Sequence, residues 1–136
     1  MAKESGLGWT TFSLDDGGGS LQAIVNDVVS CEFDLPVELQ EITGLDKSAY
    51  ERLQLLRDFT FSFESIFNDT ATTGVWSVVK TIGTAIASRT LTMVVSGNTL
   101  TNEVLLSSSA YSRSDSGEFT IAVEGSLANG TLPAWS

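Results

Sequence analysis

The segment Phe59-Thr60-Phe61-Ser62-Phe63-Glu64-Ser65-Ile66-Phe67 decides the fold class, because aromatic residues recur at every second position. Successive side chains of a strand point to opposite faces of a sheet, so these rings share one face. A phenylalanine ring buries about 150–250 Å² when it enters a core. The segment therefore predicts a strand with one face in the core, and it favours a mainly β protein.

Further strands are predicted on both sides of this segment. Residues 9–14 are aromatic and β-branched, and residues 31–40 alternate between one apolar face and one acidic face. Pro36 cannot donate a hydrogen bond to a sheet, so the second stretch should be an edge strand or should bend. Downstream, the pattern predicts strands at 89–96, 104–111 and 118–123, an interruption at Asn98, Thr99 and Asn102, and a tight turn at 114–117.

The clearest helix signal lies at residues 47–57. Either Asp46 or Ser48 is a suitable N-cap, and in the second case Glu51 would complete a capping box. The residues that would share the apolar face of this helix are Ala49, Tyr50, Leu53 and Leu56. Residues 73–80 fit either a short helix or a strand, and the helix is favoured.

Six or seven strands with frequent turn signals predict an antiparallel β-sandwich or barrel, with the helix at 47–57 flanking it. The length fits one domain spanning residues 1–136. Flexible parts are expected at the N-terminal segment, at the loop containing Gly17 to Gly19, and in a C-terminal arm.

The charge of the chain restricts its partners. The formal net charge is −10, and only 18% of residues are charged, against about 25% in an average domain. An acidic surface repels phosphates, which argues against a nucleic-acid-binding protein. No apolar run has the ~20 residues of a membrane helix, and the N-terminus has no apolar signal segment, so neither membrane insertion nor secretion is expected.

Residues suited to catalysis are scarce in the sequence. It contains no histidine, which removes the usual general base and the commonest metal ligand. Asp15 and Asp16 beside three glycines favour a solvated loop over a calcium site. Cys31 is expected to be a small buried residue whose pKa is raised by the neighbouring acids. The sequence thus predicts a protein that is not an enzyme and that carries no cofactor or metal.

The central block Glu41-Ile42-Thr43-Gly44-Leu45-Asp46-Lys47-Ser48-Ala49-Tyr50-Glu51-Arg52-Leu53, with residues 56–64, 89–97 and 127–135, resembles the tail-tube (major tail) proteins of long-tailed phages. This resemblance implies a virion protein, made in the host cytoplasm, that forms stacked rings of six copies. Loops and a terminal arm would connect successive rings, and the tube would conduct DNA to the host without binding it specifically. Its partners would be further copies of itself and other tail proteins, namely the tape measure, the tail terminator and the baseplate or tip.

Two groups of residues are candidates for this assembly. Glu32, Asp34 and Glu38 are predicted to form an acidic face that lines the channel, because an acidic wall would let a polyanion pass. The candidate subunit-interface anchors are Trp9, Trp76 and Trp135, since tryptophan is enriched at protein–protein contacts.

Other functions remain open from the sequence. The chain could be another virion structural protein, such as a head-decoration, connector or tail-terminator protein. A carbohydrate-binding β-sandwich module would require an exposed row of aromatic residues on one face. An enzyme is the least favoured function, because no nucleophile–base pair is recognisable.

Overall fold

The computed structural model describes residues 8–82, 88–128 and 133–136, and these residues form nine strands and one helix. The N-terminal segment and the middle of the C-terminal arm, both predicted to be flexible, lie outside the described residues. In chain order the elements are β1 (Trp9–Asp15), β2 (Leu21–Ala23), β3 (Val28–Asp34), β4 (Val37–Glu41), β5 (Arg52–Arg57), β6 (Thr60–Ile66), α1 (Val75–Val79), β7 (Arg89–Val95), β8 (Asn98–Arg113) and β9 (Phe119–Leu127).

Seven strands form one antiparallel sheet in the order β2-β1-β7-β8-β9-β6-β3, while β4 and β5 form a separate hairpin. The first half of β8 pairs with β7 and its second half pairs with β9. The sheet folds over itself at β8, and the rings of Phe12 and Phe63 meet across the core with centroids 5.0 Å apart. The predicted mainly β antiparallel fold is confirmed. It resembles a sandwich or barrel, but the sheet is not closed.

The strand predicted around the phenylalanines is β6, and its aromatic face is the centre of the core. Phe59, Phe61 and Phe63 are buried, and each ring lies about 6 Å from the next. Gly125 on β9 makes room for this packing, because a Cβ atom at that position would lie 2.6 Å from Cε1 of Phe61. The other buried apolar residues include Phe12, Leu14, Leu91, Met93, Leu100, Val104, Ile121 and Val123.

The helix predicted at residues 47–57 is wrong. Its second half is strand β5, which pairs with β4, and its first half is the connection between them. The backbone N–H of Glu51 donates to Oγ1 of Thr43 (3.0 Å) and does not serve a capping box. A helix of about eleven residues is marginal without a surface to pack on, and pairing with β4 satisfies the backbone instead.

The short helix favoured at residues 73–80 is confirmed as α1. Its first amide, on Val75, donates to Oδ2 of Asp27 (3.2 Å), and this carboxylate also accepts from Nδ2 of Asn68. Gly74 is required before the helix, since a Cβ atom there would lie 2.4 Å from the carbonyl oxygen of Asn68. Among the described residues, the protein has no helix with the length and apolar character needed to cross a bilayer.

The interruption predicted at Asn98, Thr99 and Asn102 is wrong, because all three residues belong to β8. The chain reverses just before them, at Ser96 and Gly97, and both have positive φ values, as the two-residue turns of hairpins require. Strand β8 also contains a shift in its register with β9, between Leu106 and Ser108.

Candidate assembly interface

The long strand β8 is only partly paired. Its residues up to Val104 pair with β7 on one side, whereas the stretch from Leu105 to Arg113 pairs with β9 alone among the described residues. We call the unpaired side of this stretch the β8 free edge. A nine-residue strand edge with free N–H and C=O groups is a ready template for another strand.

Within the part of the chain that the structure describes, β3 is the last strand of the sheet and its outer edge is also unpaired; we call it the β3 free edge. The strands between the two edges are β9 and β6, so four strands (second half of β8, β9, β6, β3) form a panel bounded by free edges. Each neighbouring pair is antiparallel. The two outer strands of the panel therefore run in opposite directions.

The solvent-facing side of this panel carries only negative charge, and we call it the acidic face. Glu32 on β3 lies opposite Ser62, which lies opposite Glu124 on β9. In the two neighbouring rows of cross-strand partners, the side chains of Asp34 and Glu64 point to the same side of the sheet as Glu32. Arg113 is the one basic residue of the four strands, and the register places it on the other side, which we call the core face.

The structure brings together only part of the predicted acidic set. Glu32 and Asp34 lie on the acidic face, but β3 ends at Asp34 and Pro36 separates it from β4. Glu38 therefore lies on the β4–β5 hairpin and not on the same strand face. Glu64 and Glu124 complete the acidic face and were missed, although the alternation of residues 59–67 already placed Glu64 opposite the phenylalanines.

The three tryptophans occupy two regions. Trp9 and Trp135 flank Phe33 of β3, with ring centroids 6.3 Å and 5.9 Å from its ring. Trp76 lies on α1, where its ring packs against Phe67 and under Nζ of Lys80. Trp135 is held by an antiparallel bridge to Leu100, so the described end of the C-terminal arm is attached to β8.

The β4–β5 hairpin exposes an unusual amount of apolar surface. Every residue of its two strands is exposed, and its two legs are joined at the base by a hydrogen bond from the N–H of Asp58 to the carbonyl of Pro36 (3.0 Å). The large apolar side chains exposed in this region are Val37, Leu39, Ile42, Leu45, Tyr50, Leu53, Leu55 and Leu56. Exposed apolar surface of this extent is typical of a protein–protein contact, and an isolated two-stranded hairpin is barely stable in water.

The structure places two residues for which the sequence favoured a loop position and a buried thiol, Asp16 and Cys31. Oδ1 of Asp16 accepts hydrogen bonds from the N–H groups of Gly18 and Ser20, and the bond from Ser20 is the main cause of its lowered pKa. Cys31 is half-buried and lies on the core face. Burial, helped by the negative charge of Glu32, raises the pKa of its thiol to about 11, which leaves it unreactive at neutral pH.

Comparison with known proteins identifies a fold and no sequence family. No protein-family model matches the sequence, and no curated protein is detectably similar to it. Several solved structures are similar. A chain from the tail of an empty gene transfer agent particle, refined with C6 symmetry, superposes with a TM-score of 0.71 at 18% identity over 98% of both chains.

Two further solved structures are similar over nearly the whole length. A chain from the virion of a native gene transfer agent particle gives a TM-score of 0.70 at 15% identity, covering 98% of both chains. A chain from the six-fold symmetrised baseplate of an anti-feeding prophage gives 0.69 at 9% identity, covering all of this chain and 97% of that one. At these identities the likeness establishes the fold alone.

Proposed function

We propose that this chain is a structural subunit of a phage-type tail tube. Copies join side by side into rings of six, and the rings stack around a channel that conducts DNA. The observation that carries this proposal is the four-stranded panel, which has a free edge on each side and carboxylates as its only charges on the solvent-facing side.

The strand directions of the panel suit a closed ring. Rotation about an axis that runs roughly along the strands preserves their direction, so the β8 free edge of one copy meets the β3 free edge of the next. Because the panel has four alternating strands, this junction is antiparallel like every other pair in the sheet. Head-to-tail contacts of this kind generate rings when the rotation closes, and closure removes the unpaired edges.

Only one side of the panel is available to line a channel. The core face is covered by the rest of the sheet, as the contact between Phe12 and Phe63 illustrates. The bulk of each subunit must then lie outside the ring, with the acidic face inside. Carboxylates around a channel repel DNA phosphates and disfavour specific or tight binding during passage.

The β4–β5 hairpin supplies a means of stacking. It stands apart from the seven-stranded sheet and exposes apolar residues such as Leu53 and Leu55, which a neighbouring ring would cover. The C6 and six-fold symmetries named for the assemblies of two similar structures support rings of six.

Electron microscopy of the purified full chain tests the proposal. We expect hollow tubes, or rings with six-fold end views, at neutral pH and increasing protein concentration. Particles that stay monomeric at every concentration would contradict it.

A ring at one end of a tail is a second candidate, favoured by the similarity to a baseplate chain. The same micrographs distinguish the two functions, because a tube subunit polymerises into long tubes, whereas an end-ring protein stops at one or two rings.

A further inference from the structure

An apolar hollow lies on the core-face side of the β3 free edge, and we call it the apolar notch. It exists because β1 and β3 approach each other without pairing as strands. The residues that line it are Trp9, Phe12, Val25, Val28 and Val29, followed by Ser30 and Cys31. Val29 lies at an irregularity of β3 and leaves 60% of its surface exposed beside the notch.

The opposite edge of the panel carries a large side chain on the same side of the sheet. Tyr111 on β8 lies opposite Ile121, which lies opposite Ser65 and then Val28. Tyr111 is 44% exposed, and its ring packs on Phe119 with centroids 6.0 Å apart. The row that begins with Tyr111 at the β8 free edge therefore ends at the apolar notch.

We propose that Tyr111 of one copy fills the apolar notch of the next copy and sets the register of the ring. This inference rests on the ring in the proposed function and names its side-to-side contact. In an unshifted junction Tyr111 meets Val28 on the core face, and Ala110 meets Ser30 on the acidic face.

The charges at the two edges are complementary. Residues 105–113 contain one base, Arg113, and no acid, whereas residues 27–34 contain three acids and no base. Two β3 edges brought together would repel each other, and two β8 edges would leave both notches empty. The occupant that fits is a second copy of the chain bound head to tail.

A cysteine pair on the acidic face tests the register. In a Cys31→Ser background, Ser30→Cys and Ala110→Cys place two exposed thiols at the ends of one row. Within one molecule they are three strand spacings apart, about 14 Å, which is too far for a disulfide. Mild oxidation of the assembled protein should give a ladder of covalent oligomers that ends at the ring size.

The matched control keeps Ser30→Cys and moves the second thiol to Ala122→Cys. Ala122 is exposed and lies in the same row, but it belongs to the interior strand β9. This control should give no ladder. A dimer that forms with Ala110→Cys alone would show edge pairing of like with like and would overturn the proposal.

The contact itself is tested by substituting its two sides. We expect Tyr111→Ala and Val29→Ser each to raise the protein concentration needed for assembly by about tenfold or more, because large apolar surface is left uncovered. Tyr111→Phe should leave that concentration within about twofold. The effect of the double variant on the free energy of assembly should be smaller than the sum of the two single effects, because the two side chains contact each other between copies.

The outcomes separate this inference from the proposed function. If tubes form but oxidation gives no ladder, or if the effects of Tyr111→Ala and Val29→Ser on assembly are additive, the notch contact is wrong. The proposed tube would not be affected by that result. A failure of the unsubstituted chain to form any ring or tube would instead contradict the proposed function.

Discussion

At the scale of single residues, Arg89 is the one charged residue that is buried among those the structure describes. Its guanidinium is buried and donates to the carbonyl of Val78 (2.7 Å), Oγ1 of Thr81 (2.8 Å) and the carbonyl of Asp15. Burial lowers its pKa, while the nearby Asp16 and Asp15 oppose that effect. The residue thus ties the end of β1, the end of α1 and the start of β7 together.

We expect Arg89→Met to reduce the free energy of unfolding by about 3 kcal/mol, because the buried carbonyl groups lose their donor. Denaturation by urea measures the loss. Arg113→Met is the matched control: Arg113 is exposed at the end of β8, and its replacement should change the stability by less than about 0.5 kcal/mol. Equal losses for both variants would mean that Arg89 does not brace these elements.

Cys31 provides a prediction about pH. Its thiol pKa of about 11, compared with an ordinary value of 9.0, should slow alkylation of the folded protein at pH 8 about a hundredfold relative to the urea-unfolded chain. The rate should rise with pH until the thiolate predominates. In a Cys31→Ser background, Ser30→Cys is exposed on the same strand and should react at nearly the unfolded rate. A fast reaction of Cys31 at pH 8 would contradict the raised pKa.

At the scale of elements, the β4–β5 hairpin and helix α1 differ in how much apolar surface each buries within one copy. The helix has only five residues and is stable because Val75, Val78 and Val79 are buried and Asp27 accepts from its first amide. The hairpin's strands, of five and six residues, are at least as long but bury almost nothing within one copy. In the proposed tube, the next ring would cover its exposed leucines.

We therefore expect Leu53→Ser with Leu55→Ser to abolish tubes while leaving single rings and the stability of the monomer nearly unchanged. Both side chains are exposed, so little burial is lost within the subunit. Thermal unfolding and electron microscopy measure the two effects. Replacing both leucines by methionine keeps the apolar surface and should preserve tubes. Long tubes from the serine variant would show that stacking uses another surface.

At the scale of the whole molecule, the net charge of −10 matters through its distribution. The acidic face gathers Glu32, Asp34, Glu64 and Glu124 without a base, while the one base of the panel lies on the other side. A ring of such subunits would repeat each carboxylate once per copy around the channel, which strengthens the local field.

Reversing the charge of this face should make the tube retain DNA. Glu64 and Glu124 lie on the interior strands β6 and β9, away from both free edges. We expect Glu64→Lys with Glu124→Lys to assemble normally and to bind short duplex DNA at low salt, with binding lost as salt increases. Glu38→Lys with Glu41→Lys changes the net charge equally but on the hairpin, and it should bind much less. Co-sedimentation of DNA with tubes measures both. Equal binding by the two variants would place the acidic face outside the channel.

The sequence alone determined the strands whose side chains alternate strongly. Phe59, Phe61 and Phe63 specify the buried face of β6, because no other conformation puts three rings on one side at that spacing. The same alternation identified Glu32 and Asp34 as neighbours on a polar face. These features are local, since they depend on residues two positions apart.

The tertiary structure alone decided what depends on distant partners. Residues 52–57 satisfy a helical pattern as well as a strand pattern, and pairing with β4 selects the strand. Glu124 joins Glu32 only because β9 pairs with β6 and β6 with β3. The free edges of β8 and β3 likewise follow from which strands pair. The strand at 52–57, the approach of Glu124 to Glu32 and the two free edges all depend on hydrogen bonds between residues far apart in the chain. A local pattern of side chains cannot predict such pairings.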